Sequence, residues 1–294
     1  MPNLPDNLAT WTNYEWPRGG DEWSDAWGGS DTLWWGSLFP RIRAFVPTAS
    51  VLEIAPGFGR CTVYLKDLCQ HLTIVDITER CIAACRQRFS ASDHIDYYVN
   101  DGSSLAMVPD GSIDFVFSYD SLVHVEADLM QNYMHEVARK LKPWGAGFFH
   151  HSNLAAFQDE QTGEFPFENI HWRASTMSAK LFEQFCDAAG LQCIGQEIVN
   201  WGGAETIDSF SLFTRKDSPF ARPNVVIENP YFMDEAARLK TLAQLYEPVH
   251  FPLVNRLARR ASLPYVQPGV GGYTLGRLSG AVTSKLHGLK SRLR

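Results

Sequence analysis

Residues 51–60 read Val51-Leu52-Glu53-Ile54-Ala55-Pro56-Gly57-Phe58-Gly59-Arg60, a short apolar run that meets a glycine-rich turn. Such a run, bounded by turn residues, reads as a strand buried on both faces. Glycine lets a backbone approach closely because it has no Cβ. In open parallel sheets, ligands bind beyond the carboxyl ends of the strands. A glycine-rich turn placed there marks a candidate site for a ligand with a charged end. A ligand-free tight turn is the other reading of these residues taken alone. The dinucleotide fingerprint GxGxxG is absent, since only Gly57 and Gly59 are present.

The surrounding pattern predicts a doubly wound α/β fold with a largely parallel, seven-stranded sheet. RCTVYLKDLCQ reads as a helix, HLTIVDI as a second strand, and TERCIAACRQRF as a second helix. IDYYVN and the continuous apolar run SIDFVFSYD follow as strands. In ADLMQNYMHEVARKL, the residues Leu129, Met130, Tyr133, Met134, Val137 and Leu141 recur at helical spacing and belong to the core. GFFHHSN is a fifth strand; LQCIGQEIV and TIDSFSLFTRK are two more. Strand–helix alternation of this kind places helices on both faces of the sheet. The expected organisation is a Trp-rich N-terminal lid over 1–45, a catalytic domain over 46–217 and a helical, basic extension over 218–294.

Composition narrows the function classes. Net charge is −7, but Leu253–Arg294 carries eight basic and no acidic residues, leaving 18 basic against 33 acidic elsewhere. An acidic body argues against a nucleic-acid substrate, whose phosphates need a basic track. The basic tail suits an anionic membrane surface or an acidic partner, or it is simply a solvated segment. No apolar run nears the roughly 20 residues of a bilayer span. The first residues show no basic start followed by an apolar stretch, so no signal peptide is expected and the cytoplasm is the default location. Cys81 and Cys85 stand four apart on a helix, but no other close ligand pair completes a metal site, so both read as core.

Four features in order give the chain a family resemblance. Glu53 with Ala55, Gly57 and Gly59 resembles the first motif of class I S-adenosylmethionine (SAM)-dependent methyltransferases, an acidic residue followed by GxGxG. Ala55 replaces the first glycine and fits only if its backbone keeps a negative φ. Asp76 ends the second strand, where a carboxylate accepts ribose hydroxyls. Asn100-Asp101-Gly102 ends the third, and the resemblance assigns Asp101 to the adenine amino group. SIDFVFSYDSLVHV, with Tyr119 at its strand end, and LKPWGAGFF complete the set. The resemblance implies SAM as cofactor, with Glu53, Ala55, Gly57, Gly59, Asp76, Asp101, Gly102 and Tyr119 around it.

Methyl transfer from a sulfonium is an in-line displacement that needs alignment, and a base or a metal if the acceptor is a hydroxyl. His150 and His151 end the fifth strand; Asp120 ends the fourth, and His124 and Glu126 follow. Adjacent strand residues point to opposite faces, so one of the two histidines addresses a substrate. His151, nearer the strand's end, is the expected base; His150, Asp120 and His124 are the other catalytic candidates. Asp120, Glu126 and His151 together are a candidate site for Mg²⁺ or Mn²⁺.

Six of the nine tryptophans lie in residues 1–40. Indole faces stack on sugar rings, which makes Trp23, Trp27 and Trp34 candidate acceptor-binding residues. Stapling of the N-terminal segment onto the core or onto a homodimer partner is the alternative. The pattern resembles bacterial sugar O-methyltransferases of polysaccharide assembly, of the mycobacterial methylmannose polysaccharide type, over roughly residues 10–215. That resemblance implies a sugar hydroxyl of an oligo- or polysaccharide as acceptor. The rival expectations are a small-molecule methyltransferase acting on a phenol, amine or carbon, and a SAM-binding module without turnover.

Overall fold

The computed structural model describes residues 3–246. The basic tail after Leu253, with its expected membrane or partner contacts, lies outside the described residues.

Eight strands form one sheet: β1 (Thr48–Ile54), β2 (Cys69–Asp76), β3 (Ile95–Val99), β4 (Ile113–Ser118), β5 (Leu141–Ser152), β6 (Leu191–Val199), β7 (Asp208–Arg215) and β8 (Val226–Asn229). Their order is β3-β2-β1-β4-β5-β7-β6-β8. β7 is antiparallel to β5 and β6, and every other neighbouring pair is parallel. The doubly wound architecture is the one the alternation predicts. The expected count of seven is exceeded because Val226–Asn229, in the stretch expected to be helical, pairs parallel with Gln196–Val199.

The helices are α1 (Leu4–Asn13), α2 (Ser30–Leu33), α3 (Phe39–Ile42), α4 (Thr62–Leu65), α5 (Glu79–Arg88), α6 (Ala127–Lys140), α7 (Ala179–Ala188) and α8 (Phe232–Tyr246). Asn3, Thr78 and Ser178 cap α1, α5 and α7 through side-chain oxygens that accept otherwise unpaired backbone N–H groups. The helix expected after the glycine turn is a single turn. Tight bonds from Asp67 N–H to Tyr64 and from Leu68 N–H to Leu65 end it, and the chain then enters β2 at Cys69, paired with Thr48.

The period of two along the strands divides the core. Val51, Phe115, Phe117 and Phe148 join a cluster with α5, α8 and the N-terminal residues Trp27, Leu33, Trp34 and Leu38. Leu52, Val116 and Phe149 join a second cluster with α6 and α7. Trp27 and Trp34 are each 1% exposed. Trp34 stacks on Tyr64 at 5.0 Å and Trp27 packs 5.6 Å from Phe232. These two indoles are structural staples between the N-terminal segment and the sheet, not acceptor-binding faces.

The main chain twists sharply at the ends of β1 and β4. Ala55 has φ 56° and Asp120 φ 57°. The expectation of a negative φ at Ala55 is therefore wrong. The left-handed conformation is held by Ala55 N–H donating to Val75 O (2.7 Å) and by Ser121 Oγ donating to Ala55 O (2.8 Å). A side chain in this region costs roughly 1–2 kcal/mol, and a glycine loses roughly 0.4–1 kcal/mol through its freer unfolded state. Ala55→Gly is thus expected to stabilise the protein by about 0.5–1 kcal/mol and to raise its Tm by a few degrees. A lower Tm in a thermal melt would contradict this account of Ala55.

Candidate active site

A cavity of about 390 Å³ opens beyond the carboxyl ends of β1, β2 and β4. That is within the range of small-molecule sites, roughly 300–1,000 Å³. Glu53, Ala55, Gly57, Asp76, Gly102 and Tyr119 line it, so six of the eight residues expected around a cofactor are brought together. Gly59 and Asp101 are not on its wall. Gly59, at φ 86°, makes room for α5's neighbour Phe89, whose ring a Cβ would meet at 2.5 Å. Asp101 turns back on its own loop: its Oδ1 accepts the N–H groups of Ser103 (3.0 Å) and Ser104 (2.7 Å).

Two buried carboxyl groups face this cavity. Burial pushes the Glu53 carboxyl up to about 8, against the Thr62 hydroxyl that donates to Oε2 at 2.6 Å and the charge of Arg60. Burial also raises Asp76, to about 6, although N–H and O–H groups of Thr78 and the Gly57 N–H donate to it. The Cys81 thiol bonds to it as well. Two buried, electrostatically underpaired carboxyls in one cavity suit a ligand that brings hydroxyls and positive charge.

The N-terminal segment closes the other side. α1 lies across the opening, with Leu4 against Gly102 and Asn7 Nδ2 donating to His124 O at 2.8 Å. Trp11, Tyr14, Trp16 and Trp23 line the cavity, their rings 5.1–6.4 Å apart in five pairs. Trp16 stacks on Phe58 at 4.6 Å. Of the three tryptophans expected to touch an acceptor, only Trp23 reaches the cavity.

Asp120 and His124 line the cavity; His150, His151 and Glu126 do not. The sheet's alternation sends His151 to the face covered by α7, where it stacks on Phe182 at 4.2 Å with both ring nitrogens bonded, to Ser152 O and Ser211 Oγ. It is fully buried, and burial pushes its pKa down to about 4. His151 is therefore placed as a core residue, which corrects the expectation that it serves as base. His151→Ala is expected to cost about 2–4 kcal/mol of stability through a cavity and two lost hydrogen bonds. Turnover per folded molecule should be unchanged; a lost kcat with an unshifted Tm would contradict the placement.

His150 stands on the site's side of the sheet, one layer back, between Tyr119 (5.0 Å) and Trp201 (5.2 Å). Its Nδ1 accepts the Asp120 backbone N–H at 3.1 Å, so Nε2 carries the proton and donates to Asp208 Oδ2 at 2.9 Å. Arg173 binds Asp208 through Nε (2.9 Å) and a terminal nitrogen (2.7 Å) and stands 4.0 Å from Asp120. Arg60 pairs with Asp120 at 2.9 Å. Burial would raise the Asp208 carboxyl, but Arg173 and His150 hold it well below the usual carboxylate range. Within this network the two guanidiniums and two carboxylates balance.

Two imidazoles, His171 and His124, line the cavity, and a hydrogen bond fixes the ring of His124. Its Nδ1 lies 2.8 Å from Trp172 O; a carbonyl only accepts, so Nδ1 carries the proton and Nε2 the lone pair. Burial first, and then the Arg173 charge, push its pKa down to about 4, which keeps it neutral at physiological pH. Trp11 packs 5.5 Å from its ring. His171, Trp172, Arg173 and Trp201 complete the wall beyond it.

The expected metal trio does not form. Glu126 is taken up by Ser175 and Thr176 N–H groups, Asp120 by Arg60, and His151 lies across the sheet. Among the described residues, no three His, Cys, Asp or Glu side chains are placed to hold a metal ion. Nor, among them, is any helix long and apolar enough to cross a membrane.

The sheet order, the glycine turn and the cavity at its mouth define the Rossmann-like methyltransferase fold. Residues 51–145 match a family model described as a methyltransferase domain. The chain is similar to the PH0226 protein of Pyrococcus horikoshii, at 21% identity and a TM-score of 0.50, over 70% of this chain and 95% of that one. It is also similar to a SAM-dependent methyltransferase of Leishmania major, at 12% identity and a TM-score of 0.53, over 72% and 82% of the two chains. Phosphoethanolamine N-methyltransferase 1 of Zea mays is 26% identical over 152 residues, 49% of this chain and 29% of that protein. The chain covers less than a third of the length of the curated relatives it matches. Residues 51–145 are thus a methyltransferase domain of the class I, SAM-dependent architecture.

Proposed function

We propose that the chain is a SAM-dependent O-methyltransferase whose acceptor is a hydroxyl on a neutral ring, in the first instance a sugar hydroxyl of an oligo- or polysaccharide. The observation that carries this reading is the neutral imidazole of His124, fixed by a carbonyl at Nδ1 and lining the cavity that the glycine turn opens. Glu53, Gly57, Asp76 and Gly102 would hold the cofactor, with Asp76 accepting from the ribose. Bound there, SAM supplies an activated methyl group on a sulfonium. His124 Nε2 takes the acceptor's proton as the hydroxyl attacks, because a protonated hydroxyl is a poor nucleophile. The aromatic lid excludes water, and the Arg60–Asp120–Arg173 chain keeps the loop of His124 in place.

The charge pattern favours a neutral acceptor. Arg60 and Arg173, the two guanidiniums on the cavity wall, are each committed to a carboxylate. A phosphate-bearing amine, the substrate named for the maize relative, would find no unpaired cation on this wall. The indole of Trp23, on the cavity wall and 42% exposed, suits the C–H face of a sugar or a phenol ring.

Incubation with methyl-labelled SAM and a panel of neutral glycosides, phenols and primary amines tests the reading. Label on a glycoside oxygen is the expected result. Label confined to amines, or to carbon, would overturn it, and tight cofactor binding without transfer to any acceptor would favour a non-catalytic module.

A further inference from the structure

Trp172 is an anomaly that the chemistry above leaves unused. Its backbone φ is 53°, a conformation that a bulky side chain rarely adopts. Glycine there would be less strained by roughly 1–2 kcal/mol. The indole nevertheless stands 61% exposed. Among the described residues it has neither a ring partner nor a hydrogen bond for its own N–H.

The loop that carries it is stiffly built. The Asn169 side chain brackets it, accepting from Arg173 N–H (2.8 Å) and donating to Arg173 O (2.7 Å). Arg173 is anchored by Asp208, and Trp172 O is held by His124. Gly202 leaves space for the neighbouring His171 ring, since a Cβ there would fall 2.2 Å from Nε2. Backbone strain sustained by such a frame points to a use for the side chain it displays.

The place of that side chain says what the use is. Trp172, Ile170 (65% exposed) and Trp23 (42% exposed) all line the cavity and all open to solvent. They form an apolar rim continuous with the pocket in which His124 stands. Exposed apolar surface joined to a site marks a contact for a ligand. No unpaired charge lines this rim, so the contact is stacking and dispersion.

We propose that Trp172, with Ile170, is the platform for the ring next to the one that is methylated, so that the enzyme prefers acceptors of at least two linked rings. The proposal rests on the O-methyltransferase reading for its chemistry. It assigns specificity to Trp172 and leaves proton transfer with His124.

The test compares one-ring and two-ring acceptors of the same chemistry: methyl glycosides against the matching disaccharides, and phenol against 4-phenylphenol. Wild-type kcat/KM is expected to rise at least tenfold from one ring to two. Trp172→Ala should remove that increment, with the loss of kcat/KM on the two-ring acceptor at least fivefold greater than on the one-ring acceptor and carried by KM. Trp172→Phe should keep part of it. An equal loss of kcat/KM on both acceptors in Trp172→Ala would overturn the proposal, since it would show only that the loop holds His124. An increment that survives the substitution, or is absent from the wild type, would also overturn it. If glycosides fail while phenols are methylated, the sugar reading falls and the phenol pair decides the platform by the same criteria.

Discussion

His124→Ala is expected to lower kcat by about two to four orders of magnitude, the usual contribution of a positioned base, while S-adenosylhomocysteine binds with nearly wild-type affinity. The argument is geometric first. The Trp172 carbonyl can only accept, so the proton sits on Nδ1 and the lone pair on Nε2. The pKa of about 4 then fixes the pH profile. The protonated imidazole is inactive as a base, so rate is lost as pH falls through that value, not near 6.5. At saturating cofactor, kcat/KM for the acceptor should be flat from about pH 5.5 to 8. A variant that keeps more than a tenth of wild-type kcat, or an acid limb at 6–7 in the wild type, would remove His124 from this role. Calorimetry of the variant with S-adenosylhomocysteine separates lost chemistry from lost fold.

Asp76→Ala is expected to weaken S-adenosylhomocysteine binding by about ten- to a hundredfold, the cost of one charge-assisted hydrogen bond of roughly 1.5–3 kcal/mol. The same substitution frees the Gly57 N–H and the Thr78 groups that Asp76 now holds, so the glycine turn loosens as well. The pH dependence has a definite sign. Asp76 titrates near 6 in the free protein, and the ribose needs an anionic acceptor. The Asp76 contribution to affinity is therefore lost as pH falls through about 6, towards tenfold per unit below it. Asp76→Asn should bind weakly and lack this dependence. Equal affinity in wild type and variant across pH 5–8, measured by titration calorimetry, would show that Asp76 does not bear on the ligand.

Local signals account for what the sequence alone reveals. The glycine turn, Asp76 at a strand end and the unbroken apolar run of β4 are each read within ten residues, and all fall at the mouth of one sheet. The acceptor side is assembled from distant pieces: Arg60, Asp120, Arg173 and Asp208 meet only after the chain has folded. A lone Asp208 at the start of an apolar strand was the available hint of a buried partner; nothing local marks Arg173 or Trp172. Alternation correctly separates His150 from His151, but which face meets the ligand depends on where α7 packs. Nor does composition separate Trp23, at the rim, from Trp27 and Trp34, in the core. Ala55 shows the reverse case, where a residue preference gave way to two hydrogen bonds.

A crystal structure of the protein with S-adenosylhomocysteine tests the central claim most directly. The expected density places the nucleoside in the cavity of about 390 Å³, a ribose oxygen within hydrogen-bond distance of Asp76, and the sulfur on the side of His124. Ligand bound elsewhere, or no density at millimolar concentration, would contradict it.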